Sequence, residues 1–166
     1  MNSLLRKKRG FTLIELLVVV SIISLLSAVV LSSLNASRSR ARDARRLADM
    51  QSLRTAISLY LNDSGNVYPP ATPDRGDGWA ESYTAGAGFM SNLVSGGYLA
   101  SPIRDPENTS AYKSYYYRVG TYGGCTAPAT RAVLHLYLTR PATSPYIACS
   151  AQATADGMYG ACLCLD

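Results

Sequence analysis

Between Phe11 and Leu34 the chain runs for 24 residues with a single charged side chain, Glu15. As a helix, at about 1.5 Å per residue, this stretch reaches roughly 36 Å against roughly 30 Å of bilayer hydrocarbon, so it can span a membrane. Arg6, Lys7, Lys8 and Arg9 stand just ahead of it. A basic tip before an apolar run is also the order of a secretory signal peptide, but such signals carry an apolar stretch of about 7–15 residues with a small-x-small cleavage site behind it. Here the run is longer, and Leu34-Asn35-Ala36 puts a large residue at the third-from-last position. Removal behind the apolar run is therefore not expected.

The rest bounds the architecture. Of 166 residues, about 130 remain beyond Leu34, enough for one modest core and too few for two independent domains. With 48% hydrophobic and 16% charged residues the chain is neither disordered nor a uniformly buried membrane bundle. The net charge of +5 suggests nucleic-acid binding until it is located: four of the sixteen basic residues form the N-terminal tip, leaving twelve against eleven acids from residue 11 onward. Basicity belongs to the tip, and nucleic acid is not an expected partner.

A carboxylate inside hydrocarbon costs a few kcal/mol, so Glu15 needs a partner or a reason. Thr12-x-x-Glu15 ahead of an apolar run fits a capping box, in which Glu15 reaches back to the Thr12 amide. Gly10 marks the junction of basic and apolar character. A cut after it would remove four cations and create an α-ammonium at Phe11, with a reference pKa of about 8. Within one helix that cation and Glu15 are poorly placed to meet; in side-by-side helices with a small axial stagger, one subunit's ammonium could neutralise its neighbour's Glu15.

The segment Arg6-Lys7-Lys8-Arg9-Gly10-Phe11-Thr12-Leu13-Ile14-Glu15-Leu16-Leu17-Val18-Val19-Val20 resembles the class III leader and methylation segment of type IV pilins and type II secretion pseudopilins. The resemblance implies cleavage after Gly10 and N-methylation of Phe11 by a membrane prepilin peptidase. Gly10 is then the cleavage determinant and Glu15 the determinant of assembly and methylation.

No proline or glycine interrupts the chain from Phe11 to Ser64, which predicts one helix over about 11–62, about 78 Å long. Pilin-family helices often carry such a breaker partway along the apolar half; here Ser24 and Ser32 stand in that neighbourhood instead. Ser21, Ser24, Ser27 and Ser32 with Ala28 offer small surfaces for close helix approach. Leu47, Met50, Leu53, Ile57, Tyr60 and Leu61 then recur at steps of three and four, opposite Arg45, Asp49, Ser52, Thr55 and Ser58. Residues 38–46 hold five arginines and Asp43. They read either as a contact for DNA or anionic lipid or as a solvated collar with helix-spaced pairs to Asp43 and Asp49; the solvated collar is the expectation. Because this collar follows the span, counting charges does not orient the chain, and the leader resemblance places the N-terminus inside.

After Gly65 the texture turns to glycine, proline and tyrosine. Asn62-Asp63-Ser64-Gly65-Asn66-Val67-Tyr68-Pro69 resembles the junction behind the long helix of major pseudopilins. Leu93-Val94-x2-Gly97-Tyr98-Leu99-x2-Pro102-x2-Asp105-Pro106, followed by Tyr115-Tyr116-Tyr117, resembles their next segment. A short helix is expected near Phe89 to Gly97, and strands at Tyr112 to Val119, Ala132 to Thr139 and around Tyr146 to Cys149. In the second strand Leu134, Leu136 and Leu138 alternate with Val133, His135 and Tyr137, as a half-buried strand requires. The expected fold is α+β, a pilin-like lollipop whose long N-terminal helix packs its distal half on a small antiparallel sheet. Its divisions are a leader (1–10), a membrane or filament-core half-helix (11–35), an amphipathic half-helix (36–64) and a head (65–166).

Cys125, Cys149, Cys162 and Cys164 all lie in this head. An even count on the exported side of a membrane reads as disulfides. Cys162-x-Cys164 makes a poor internal pair, so each reaches back, one to Cys125 and the other to Cys149. A zinc site is the rival, weakened by the lack of a second short cysteine pair. His135 reads as a satisfied strand histidine, and no nucleophile-base-orienter set assembles around it, so no enzyme, cofactor or metal is expected. Asp74, Asp77 and Glu81 lack the spacing of a calcium loop; Arg75-Gly76-Asp77 reads as coincidence, and the twelve tyrosines as packing or an adhesive surface.

The resulting expectation is a filament subunit that sits once through the inner membrane with its head exported and then enters a periplasmic pseudopilus or a cell-surface filament. Its partners would be further copies of itself, minor pilins or pseudopilins, prepilin peptidase, the inner-membrane assembly platform and the membrane. The alternative is a monomeric exported binding domain on an uncleaved anchor.

Overall fold

Helix α1 (Leu13–Asp63) realises the uninterrupted run almost residue for residue. The computed structural model describes residues 10–71, 79–82, 88–109, 113–122, 124–125, 132–141, 143, 145–148 and 157–165. The chain divides into two compact units, Met1–Ser39 and Arg40–Asp166.

In the first unit the described residues are the start of α1 and its entry. Apolar side chains from Phe11 through Leu34 lie open, Phe11 at 85% exposure. The Ser21 hydroxyl donates to the Val18 carbonyl (2.8 Å) and that of Ser24 to the Val20 carbonyl (2.7 Å). Both hydroxyls thus bond inside their own helix, which suits them to an apolar surrounding.

The second unit builds an α+β fold on the distal part of α1. It contains β1 (Ala80–Glu81), α2 (Gly88–Ser95), β2 (Tyr116–Val119), β3 (Ala132–Leu138), β4 (Ile147–Ala148) and β5 (Tyr159–Leu165). The strands form one antiparallel sheet in the order β1-β2-β3-β5-β4. Its longest pairing joins β3 to β5, from Ala132 opposite Leu165 to Leu138 opposite Tyr159. Leu134, Leu136, Leu138, Ala161, Leu163 and Leu165 form one core with Met50, Leu53, Ala56 and Ile57 of α1, and Leu47, Tyr60 and Leu61 flank it. This is the predicted stripe, with Ala56 added.

α1 stops where the sequence demands. Asn66 donates its amide to the Leu61 carbonyl (2.8 Å) and Ser64 to that of Tyr60 (2.9 Å), with Gly65 and Asn66 at φ of 68° and 65°. The left-handed turn at a helix C-terminus favours glycine or asparagine. The Tyr117 hydroxyl then donates to the Pro69 carbonyl (2.9 Å), tying the following loop to β2.

Two expectations need correction. β3 is not half-buried, because both faces are covered: the leucines face the helix, while Val133 and His135 lie in a second layer with Trp79, Tyr116, Cys125 and Cys162. β5 was not anticipated as a strand. Gly160 and Ala161 have low strand propensity, and its buried, β3-paired position overrides that. The predicted strand start at Tyr112 lies outside the described residues.

Candidate functional site

The entry to α1 is a complete capping box. Thr12 donates its amide (2.8 Å) and its hydroxyl (2.7 Å) to Glu15 Oε2, and the Glu15 amide donates to Thr12 Oγ1 (3.3 Å). The reciprocal bonds occupy amides that a helix start otherwise leaves without partners. Ahead of this cap, Gly10 is exposed, and a Cβ built on it would meet nothing within 4 Å. Packing among the described residues therefore gives no reason for a glycine here. The basic tip Arg6 to Arg9 lies outside the described residues.

The arginine run behaves differently from a uniformly solvated collar. Arg46 is fully buried. Its Nε donates to Asp105 Oδ2 (2.6 Å), Nη2 to Asp105 Oδ1 (3.1 Å) and Glu107 Oε2 (3.0 Å), and Nη1 to Asp43 Oδ1 (3.1 Å). Arg42 and Lys113 also reach Glu107, at 3.1 and 3.6 Å. Burial disfavours the Arg46 charge, but the hydrogen bonds and field of Asp105, with Glu107 and Asp43, outweigh it and hold the guanidinium protonated well above its ordinary range. At Asp105 burial works against ionisation too. The Arg46 bonds and the Glu107 and Asn108 amides overcome it and depress the carboxyl. Asp43 also accepts from the Thr139 amide (3.1 Å) and hydroxyl. Asp49 accepts the Tyr115 hydroxyl at 2.7 Å. A signal for this network was present in the sequence: Arg46 stands four, seven and eleven residues before Met50, Leu53 and Ile57, on the buried stripe itself.

Cys125 and Cys164 form a disulfide across a sequence separation of 39, with Cα atoms 5.5 Å apart. Cys162 is also disulfide-bonded; Cys149 lies outside the described residues. So do Asp74 and Arg75-Gly76-Asp77, while Glu81 is buried on β1. Next to the bridged strand, His135 is packed among Tyr137, Tyr116, Trp79 and Tyr122, with ring centroids 4.6, 5.4, 5.7 and 6.3 Å away. Its Nε2 has no hydrogen-bond partner among the described residues, so the histidine is not the satisfied one expected. Burial among these rings lowers its pKa to about 4.

A family model described as the prokaryotic N-terminal methylation motif matches residues 5–31, the stretch that holds the capping box and most of the exposed apolar helix. Type II secretion system core protein G of Aeromonas hydrophila is 31% identical over 102 residues, 61% of this chain and 68% of that protein. The chain belongs to the type IV pilin and type II secretion pseudopilin family. Within that family, core protein G of Klebsiella pneumoniae is 28% identical over 61% of this chain and 71% of its own length. The type IV wide pilus major component PilA4 of Thermus thermophilus is 43% identical over 60 residues, 36% of this chain and only 37% of the pilin. No solved structure matches the chain.

Proposed function

We propose that this chain is a structural, non-enzymatic subunit of a type II secretion pseudopilus or a type IV pilus-like filament. One observation carries the reading: the apolar half of α1, unbroken up to Leu34, lies open and holds its one carboxylate, Glu15, in the first turn. Apolar surface of that extent is not left to water; lipid or sister helices cover it. The segment serves in turn as a single inner-membrane span and as filament core, where a heterologous contact repeats without closing.

In this reading prepilin peptidase cleaves after Gly10 and methylates the new amine of Phe11, and Glu15 sets the register between neighbours. The assembly platform and the minor pilins or pseudopilins are the remaining partners. The Cys125–Cys164 bridge supports export of the head to an oxidising compartment. The secretion pseudopilus is favoured over a surface pilus because core protein G of Klebsiella pneumoniae and of Aeromonas hydrophila each match 61% of the chain and PilA4 36%.

Two measurements on a complemented deletion strain test this. Intact mass of membrane-extracted protein should show loss of the first ten residues and gain of one methyl group. Glu15→Ala should stay membrane-inserted and form no filaments. Wild-type filament yield from that variant refutes the role of Glu15. A retained Met1 with no polymer makes the chain a monomeric tethered domain.

A further inference from the structure

The nine residues from Arg38 to Arg46 contain five arginines, and the fold divides them. Arg42 and Arg46 are drawn to Glu107, Asp105 and Asp43. Arg38, Arg40 and Arg45 remain exposed. Among the described residues Arg38 and Arg40 have no ion pair, while Arg45 stands 3.9 Å from Asp49. No carboxylate occurs in the sequence between Glu15 and Asp43, and Asp43 is committed to Arg46 and Thr139.

Arg38 follows Leu34, the last residue of the apolar stretch, by four residues, about 6 Å of helix. The polar layer of a bilayer is about 5–7 Å deep on each side of its hydrocarbon. With Phe11–Leu34 in the hydrocarbon, the Arg38 guanidinium falls among the headgroups, and Arg40, about 9 Å past Leu34, reaches back to them because helix side chains lean toward the N-terminus and a long arginine stem extends its charge to the interface. We infer that Arg38 and Arg40 bind the phosphate groups of anionic phospholipid in the leaflet on the head side and retain the subunit in the membrane before assembly. A guanidinium matches phosphate as a bidentate donor, and each cation at an anionic surface gains roughly fivefold in binding. Both cations lie past the span, against the usual charge bias, and the headgroups supply local counter-charge. This inference rests on the membrane-spanning reading of Phe11–Leu34.

The test is electron spin resonance of the full chain in phosphatidylcholine vesicles doped with spin-labelled phosphatidylglycerol or spin-labelled phosphatidylcholine. The wild type should immobilise the glycerol lipid several-fold in preference to the choline lipid, and 0.5 M salt should screen the preference. R38Q/R40Q should bring it close to unity, and R45Q should keep most of it. Equal immobilisation of both lipids by the wild type overturns the inference alone; no immobilised component with either lipid overturns the membrane reading as well. A loss with R45Q as large as with R38Q/R40Q makes the effect one of net charge and overturns the assignment to these residues. Retention of a short DNA duplex at the same ionic strength, without lipid preference, reassigns the arginines to nucleic acid.

Discussion

Arg46 and Asp105, separated by 59 residues in sequence, meet through two buried contacts of 2.6 and 3.1 Å, with Glu107 and Asp43 closing the remaining sides of the guanidinium. The pair fastens the loop after α2 to the long helix at the point where the second unit begins, so the polar network sits beside the apolar core.

Breaking this pair should be more costly than removing it. Arg46→Ala strands the buried Asp105 carboxylate and should lose about 3–5 kcal/mol of head stability. R46M/D105L, with apolar groups of similar volume, should recover most of that. Denaturant unfolding of both variants measures the difference; equal stability of the single variant and the wild type would show that Asp105 is solvated.

The Cys125–Cys164 bridge closes a 39-residue separation onto β5, the strand that pairs along all of β3. In the chain-entropy account a loop of this size stabilises by about 4 kcal/mol. Replacing both cysteines by serine should lower the denaturation midpoint accordingly, and the wild type in reductant should fall at least as far, because the bond of Cys162 is lost as well. Unchanged midpoints in both would place the stability of β5 in its leucine core alone.

His135 makes the head acid-sensitive. Its pKa is about 4 when folded and 6.5 when exposed, so between those values the unfolded chain binds the extra proton and acidification favours unfolding. The full effect is about 3 kcal/mol, absent above pH 7 and complete near pH 4. The rings packed on it, Trp79, Tyr116, Tyr122 and Tyr137, bring no carboxylate to offset it. His135→Phe should flatten the dependence of melting temperature on pH between 6.5 and 4. Below that window Asp105, depressed by Arg46, destabilises both proteins alike as it takes up its proton. A slope unchanged by the substitution would assign the sensitivity elsewhere.

Glu15 combines a cap and a charge, and Gln separates them. Gln at this position still accepts from Thr12, as a capping box allows, and carries no charge. Glu15→Gln should therefore fail in filament assembly as completely as Glu15→Ala, with membrane insertion intact in both. Assembly by the Gln variant would show that the cap, and not the carboxylate charge, serves the filament.

Much of this was legible residue by residue. The stripe from Leu47 to Leu61, the Thr12–Glu15 box and the stop at Gly65 are local patterns whose partners lie within a few positions. Arg46 stands in register with the buried stripe, but nothing near it in sequence names its partners Asp105 and Glu107, 59 and 61 residues further on. β5 escaped because Gly160 and two cysteines conceal a strand defined by its pairing with β3.

By itself, the sequence determined what depends on neighbours along the chain: one long helix, its open apolar half, its capped start and the leucine alternation of β3. The tertiary structure alone decided which carboxylates neutralise the buried Arg46, that β3 is covered on both faces, and that Cys164 is the partner of Cys125. Each of these depends on groups tens of residues away, whose approach is set by burial of the whole core, and no short window of sequence contains both members of such a pair.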